Sequence, residues 1–178
     1  MMGVIIGTGV GGGIVIDGHC VAGANLIAGE WGHNPLPWAA PDEYPGPICY
    51  CGRMGCIEMW VSGPGLEQDH ARRSGAKLAA ADIVRAATEG EPIASMSMSL
   101  YCDRLARSLA SVVNVLDPEV IVLGGGMSNA PDLPARVADI VPRFVLAAGA
   151  TSSKLTTKFV RALHGDSSGV RGAAWLWP

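Results

Sequence analysis

The stretch from Pro92 to Gly126 limits what this chain can fold into more than any other part. Apolar residues recur at Ile93, Met96, Leu100, Leu105, Leu109, Val112, Val113 and Leu116, close to the helical period of about 3.6, with Arg104, Arg107 and Ser111 on other faces. That spacing predicts one long, half-buried helix from Pro92 to Leu116, ended by Asp117-Pro118. Val120-Ile121-Val122-Leu123 then runs apolar at every position into Gly124-Gly125-Gly126. A buried parallel strand has that pattern, and the glycines supply a tight turn at its end.

The remaining segments fit the same class. Gly3 to Asp17, GVIIGTGVGGGIVID, sets two β-branched runs either side of a glycine-rich turn, the pattern of a hairpin with an unusually bare loop. From Gly29 to Pro47, residues Pro35, Pro37, Pro41, Pro45 and Pro47 exclude a helix and predict an ordered excursion or lid. Ser62-Gly63-Pro64 opens a helix that Gly75 stops, and another is expected from Ala81 to Glu89. Leu133 to Ala147 reads as a helix broken or kinked at Pro142, Lys154 to Val160 as a more polar strand, and Gly172 to Trp177 as a closing helix. Strands alternating with helices predict an α/β fold. With 178 residues, 49% hydrophobic and 16% charged, the chain has the length and apolar content of one domain with its own core.

Charge narrows the partners. Net charge is −3 and the 13 Lys and Arg are scattered, adjacent only at Arg72-Arg73, so no basic stripe exists to neutralise a phosphate backbone; nucleic acid is not an expected partner. No apolar run approaches the roughly 20 residues of a membrane span, and MMGVIIGTGVGGG lacks the basic start and long apolar core of a signal peptide. A cytoplasmic protein without membrane contact is expected. Five cysteines in that compartment stay reduced, and their clustering reads as metal ligation or catalysis before a disulfide framework.

Three of them stand in CYCGRMGC, residues 49–56. Cys49, Cys51 and Cys56 offer three thiolates on a glycine-bearing knuckle, and zinc takes four ligands, so His33 in the preceding segment is the expected fourth. The competing reading is a set of free structural thiols. A closed four-ligand site is structural and would not itself activate water. Glu30 precedes His33 in GEWGH and Glu58 follows Cys56 in GCIE. A metal holding His33 and Cys56 would fix the backbone near both acids, which could then accept hydrogen bonds from sugar hydroxyls. Equally, Glu58 could be only a charge at a helix start and Glu30 only solvated. GTGVGGG, residues 7–13, could cradle phosphate with its backbone N–H groups and the Thr8 hydroxyl, or be an ordinary hairpin turn. Gly124 to Gly126 follow a buried strand, where ligands collect in α/β sheets, although close packing would also explain them. Asp166-Ser167-Ser168 reads as a cap for the last helix.

GTGVGGG, GEWGHNPLPW, CYCGRMGCIE, SGPGL, DPEVIVLGGGMSN and HGDSSGVRGAAWLWP follow one another in the order seen in bacterial sugar kinases of the ROK (repressor, open-reading-frame, kinase) family, over nearly the whole chain. GEWGHNPLPW with the HGDSSGVRGAAWLWP ending resembles the fructokinase (manno(fructo)kinase) branch in particular. The resemblance implies a ribonuclease-H-like, actin-like ATPase fold in which hexose and ATP with Mg²⁺ meet in a cleft between two domains, with a structural zinc knuckle inserted. It assigns Zn²⁺ to His33, Cys49, Cys51 and Cys56, and sugar hydroxyls to Glu30, His33 and Glu58. Thr8 and Gly9 would belong to the second phosphate loop, and Gly124, Gly125 and Gly126 to the turn against the adenosine.

Family kinases also carry a DxGGT phosphate loop and, in an Asn-Asp pair ahead of GTG, the catalytic aspartate; residues 1–178 contain neither. The expectation is therefore a C-terminal domain over 1–178, holding no catalytic base and unable by itself to phosphorylate fructose at the 6-hydroxyl. Self-association, through an exposed cleft face or as the family's homodimer, is expected too. Two other functions compete: a fragment of a sugar-responsive ROK transcriptional regulator, and a non-catalytic zinc-stabilised sugar-binding or assembly module.

Overall fold

The structure, a computed structural model, describes residues 1–146 and 155–174. The expected hairpin forms: β1 (Met2–Ile6) pairs antiparallel with β2 (Val10–Ile16), Ile6 opposite Val10. Its turn is only Gly7 to Gly9, and Gly11 to Gly13, expected in the loop, are strand residues. Packing requires glycine at one of them: a Cβ on Gly12 would lie 2.8 Å from Gly3 O and 3.1 Å from Trp31 Nε1, whereas one on Gly11 or Gly13 would meet nothing within 4 Å. After the short edge strand β3 (His19–Cys20), the chain folds back across β2 so closely that a Cβ on Gly32 would lie 2.2 Å from the Val10 carbonyl oxygen, and one on Gly29 2.2 Å from that of Gly12. Trp31 Nε1 donates to the Gly11 carbonyl at 2.9 Å across the same contact. Backbone lies on backbone here because Gly29 and Gly32 carry no side chain. The Pro-rich excursion that follows holds 3-10 turns at Trp31–His33 and Pro41–Glu43, and no α-helix.

Four helices come next: α1 (Glu58–Val61), α2 (Gly63–Ser74), α3 (Ala80–Thr88) and α4 (Pro92–Leu116). The Ser62 hydroxyl accepts from Gly65 N–H to start α2, and Gly75 stops it at φ 74°. Glu91 caps α4 by accepting from Ile93 and Ala94, and Asp117 ends it in the left-handed region at φ 42°. Both helices keep the bounds expected of them, but the facing of α4 differs. Arg104 and Arg107, expected on faces other than the apolar stripe of a half-buried helix, are only 2% and 5% exposed, whereas Ile93, Met96 and Leu116 are exposed. The middle of α4 is enclosed by α1, α2, α3 and the excursion, so arginines there are buried and paired rather than solvated.

β4 (Val120–Gly124) lies parallel to β1, and β5 (Lys158–Arg161) parallel to β4, giving one sheet in the order β3-β2-β1-β4-β5. Met2, Val4, Ile6, Ile121 and Leu123 are buried and form one core with α4. Val120 and Val122 are only half-buried and Ile5 is exposed. The all-apolar run expected to be buried on both faces is thus packed on one face and partly covered on the other. α5 (Leu133–Ile140) gives way at Pro142 to a 3-10 turn, Val141–Arg143, as the proline requires. α6 (Ser168–Ala174) starts ahead of the expected closing helix. Ala147, Lys154, the Asp166 side chain and the helix end toward Trp177, all included in those expectations, lie outside the described residues. No described helix is long and apolar enough to cross a membrane.

Candidate functional site

The knuckle is built on two glycines. Gly46 and Gly55 adopt φ of 79° and 70°, and a Cβ on Gly55 would lie 2.7 Å from the Pro45 carbonyl oxygen, so the two arms of the loop can cross only there. Ile48 bridges Met54 between the arms, and the tip is closed by Cys49 N–H donating to Arg53 O at 2.8 Å. Pro35 bridges Cys56, and Ile57 N–H donates to Asn34 O at 2.9 Å, which brings the His33 turn against the knuckle.

These bonds gather the four expected ligands. The donor atoms of His33, Cys49, Cys51 and Cys56 all lie within 4.8 Å of one another, with His33 Nδ1 3.6 Å from Cys49 Sγ and Cys51 Sγ 3.6 Å from Cys56 Sγ. Zn–S bonds of about 2.3 Å and Zn–N bonds of about 2.0–2.1 Å in a tetrahedron give edges of roughly 3.5–3.8 Å, so the donor set fits zinc in type and number, and the two 3.6 Å separations match such an edge. Every cysteine is a free thiol. Burial pushes the Cys56 thiol up to about 12, while the exposed Cys51 is lowered to about 7, chiefly by the backbone N–H of Arg53. Ligation through Cys56 therefore needs a cation strong enough to displace a proton that burial holds in place.

The acids divide. Glu58 opens α1 and is 7% exposed. Its Oε2 accepts the Val10 N–H at 2.8 Å, and a Cβ on Gly9 would meet that oxygen at 2.7 Å. It is a buried brace between the knuckle and the Gly7–Gly9 turn as well as the acid in the first turn of α1. Glu30 is exposed at the head of the Trp31–His33 turn and lines a separate cavity of about 440 Å³ with Asn34 and Ser111. Beside His33 stands a group sequence reasoning passed over, the Tyr50 hydroxyl. It lies 2.9 Å from His33 Nε2, and its pKa is raised above the usual range first by the charge of Glu58, then by burial, and further by Cys49 and Glu30. Tyr50 sits between two expected ligands in CYC, which was the available signal.

On the other side of Glu58, the Gly7–Gly9 turn faces the start of α2. Gly63 N–H donates to Gly7 O at 2.8 Å. Gly7, Thr8, Pro64, Glu67, Gly126 and Asn129 line a cavity of about 710 Å³, into which the N-terminal end of α2 opens. Helix starts and glycine turns present N–H groups suited to anions. Of the five nucleotide candidates, Thr8 and Gly126 border this cavity. Gly9 is pressed against Glu58, and Gly124 and Gly125 are packed on β1, where a Cβ on Gly125 would lie 2.4 Å from Ile6 O.

A further group is structural. Arg104 donates to Glu43 at 2.7 Å and to Asp69 at 2.8 Å; Arg107 donates to Glu43 at 2.9 Å and to the carbonyls of Pro37 and Trp38. Burial would raise the Glu43 carboxyl, but the two guanidinium partners more than offset it and hold it at about 2. Trp60 lies with Arg104 4.4 Å and Arg72 5.1 Å from its ring centroid. This network pins the excursion between His33 and Cys49 to α4.

Comparison with known proteins bears on this arrangement. The sequence profile of the ROK family matches residues 1–178. The chain belongs to the ROK family. It is 37% identical over 180 residues to the N-acetyl-D-glucosamine kinase of Escherichia coli O9:H4 (strain HS), covering 99% of this chain and 58% of that protein. A ROK family glucokinase from Streptomyces griseus, in complex with glucose and AMPPNP, matches at TM-score 0.83 and 27% identity over 98% of this chain and 59% of that one. A ROK family transcriptional regulator, a homologue of the E. coli MLC protein, matches at TM-score 0.73 and 26% identity over 90% of this chain and 41% of that one. The α/β fold is thus that of the ROK sugar kinases, and the chain spans a little over half the length of the curated relative it matches. These two kinases bear the names of an N-acetylglucosamine kinase and a glucokinase; the fructokinase branch expected from GEWGHNPLPW is not what they support.

Proposed function

We propose that residues 1–178 are the C-terminal domain of a ROK-type hexose kinase, contributing sugar and nucleotide contacts to phosphoryl transfer from ATP with Mg²⁺. The observation that carries this is the Glu58–Val10 hydrogen bond at 2.8 Å. Through it the thiol knuckle, with Glu58 and His33 as sugar-hydroxyl acceptors and donors, is braced against the turn that opens onto the 710 Å³ cavity. Sugar and phosphate chemistry are one side chain apart. Zinc would be held by His33, Cys49, Cys51 and Cys56, where it supplies rigidity rather than an activated water. Thr8 and Gly126 would face the nucleotide. The hexose is an aldose such as glucose or N-acetylglucosamine ahead of fructose, since those are the sugars in the relatives' names. No residue of the chain serves as the base, and the protein pairs as a homodimer in the cytoplasm.

Titration calorimetry with D-glucose, N-acetyl-D-glucosamine, D-fructose and AMPPNP tests this reading. Binding of one hexose and of the nucleotide is expected; a chain that binds neither overturns it. The match to a ROK transcriptional regulator favours one second reading, a sugar-sensing regulator domain. Hexose binding with no nucleotide binding would select it.

A further inference from the structure

His33 offers its two ring nitrogens to two different partners. Nδ1 faces the thiol cluster, 3.6 Å from Cys49 Sγ, and Nε2 lies 2.9 Å from the Tyr50 hydroxyl. The two rings meet edge to face, centroids 5.1 Å apart at an interplanar angle of 84°. An imidazole ligates a metal through a nitrogen that carries no proton, so Nδ1 can serve only in the tautomer with its proton on Nε2. That N–H needs an acceptor, and the phenol oxygen stands at hydrogen-bonding distance. Tyr50 is flanked by Cys49 and Cys51, so the knuckle sets its backbone, yet its ring is 82% exposed and adds little to the core. The Ile48–Met54 bridge and the Cys49–Arg53 bond close the loop without it.

We propose that Tyr50 is a positioning residue acting through His33: its hydroxyl holds the imidazole in the metal-ligating tautomer, and yields Nε2 to a hydroxyl of an arriving hexose. The second half of this rests on the reading of His33 as shared between metal and sugar. Phenol and sugar then compete for one N–H, and metal and sugar affinities are linked through it. Partners of a ligating histidine's outer nitrogen change metal affinity by about 10–100-fold, and an exposed one belongs at the lower end. The linkage is reciprocal, so a sugar that replaces the phenol restores what its loss removes.

The test compares the chain with its Tyr50→Phe variant. Zinc affinity is measured by competition with a chromophoric chelator, without sugar and with saturating N-acetyl-D-glucosamine, D-glucose or D-fructose. The d–d absorption of the cobalt(II)-loaded chain is the second readout. Without sugar the variant is expected to bind zinc about tenfold more weakly, with an altered cobalt spectrum. Saturating hexose is expected to recover most of that loss. Equal zinc affinity and identical cobalt spectra in the two chains overturn the proposal. A tenfold loss that no hexose recovers overturns the exchange with sugar, and calorimetry on the unsubstituted chain then separates the causes. If it binds the hexose, His33 is not the shared group; if it binds none, the sugar-site reading itself has failed.

Discussion

Glu58 shows how much a single side chain's direction decides. Spacing allows it to be either a sugar ligand or a charge at a helix start; the structure buries it and ties its Oε2 to Val10 N–H, beside the Gly7–Gly9 turn. Replacing it with Gln keeps the acceptor oxygen for Val10 and removes the charge. Hydrogen bonds to a charged group are worth about 1.5–3 kcal/mol, so Glu58→Gln is expected to weaken hexose binding roughly tenfold or more while zinc content stays at wild-type level. Calorimetry beside metal analysis checks both; full hexose affinity in the variant would return Glu58 to a purely structural brace. Cys51→Ser is expected to behave oppositely. One thiolate fewer at a four-donor site should reduce bound zinc well below one per chain and lower the melting temperature, because structural zinc binding adds directly to folding free energy. Unchanged metal content and melting temperature would show that the thiols hold no metal. The cysteines and His33 were legible because metal donors are rare and their spacing is restrictive. Tyr50 was not, because nothing in its own chemistry marks an exposed tyrosine until its hydroxyl is placed beside His33.

At the scale of elements, α4 and the Pro-rich excursion depend on each other. The sequence period sets where α4 begins and ends, since capping and propensity act locally. It could not show that Arg104 and Arg107 face inward, because their partners Glu43 and Asp69 come from distant parts of the chain. Removing one member of a buried ion pair leaves an uncompensated charge and costs about 3–5 kcal/mol. Glu43 keeps Arg107 and Asp69 keeps Arg73, so Arg104→Ala is expected near the lower end of that range, read by urea denaturation; a loss well under 1 kcal/mol would mean that the network relaxes without it. The network also has an acid signature. Glu43 falls from 4.5 to about 2 in the fold, against burial, because Arg107 and Arg104 donate to it. A depressed carboxyl stabilises the fold fully above its unfolded value and loses that contribution as pH falls through the folded one. Melting temperature should therefore decline from about pH 4.5 toward pH 2, and the Glu43 part of that decline should vanish in Glu43→Gln. An identical acid profile in the variant would remove Glu43 from the account.

For the whole molecule, the sheet order β3-β2-β1-β4-β5 sets the Gly7–Gly9 turn beside the start of α2 and beside Gly126, three segments far apart in sequence that together border the 710 Å³ cavity. Under the proposed function, phosphoryl transfer still needs a base to take the proton of the attacking hydroxyl. Residues 1–178 are thus expected to bind AMPPNP yet release no hexose-dependent ADP above background in a coupled assay. Turnover typical of kinases, about 1–100 per second, would refute the proposal that no residue of 1–178 serves as the base. The sequence alone determined the α/β class, the bounds of α2 and α4, the family, and which four metal-donor types the fold gathers, because these follow from local periodicity, capping and rare residue types at fixed spacing. Tertiary structure decided what long-range contact controls. The glycines of β2 belong to a strand rather than a loop, with Gly12 closely packed, the arginines of α4 are buried, the β4 run is packed on one face and partly covered on the other, and Gly124 and Gly125 pack while Gly126 borders the cavity. In each case the deciding neighbour lies many residues away, where no local pattern reports it.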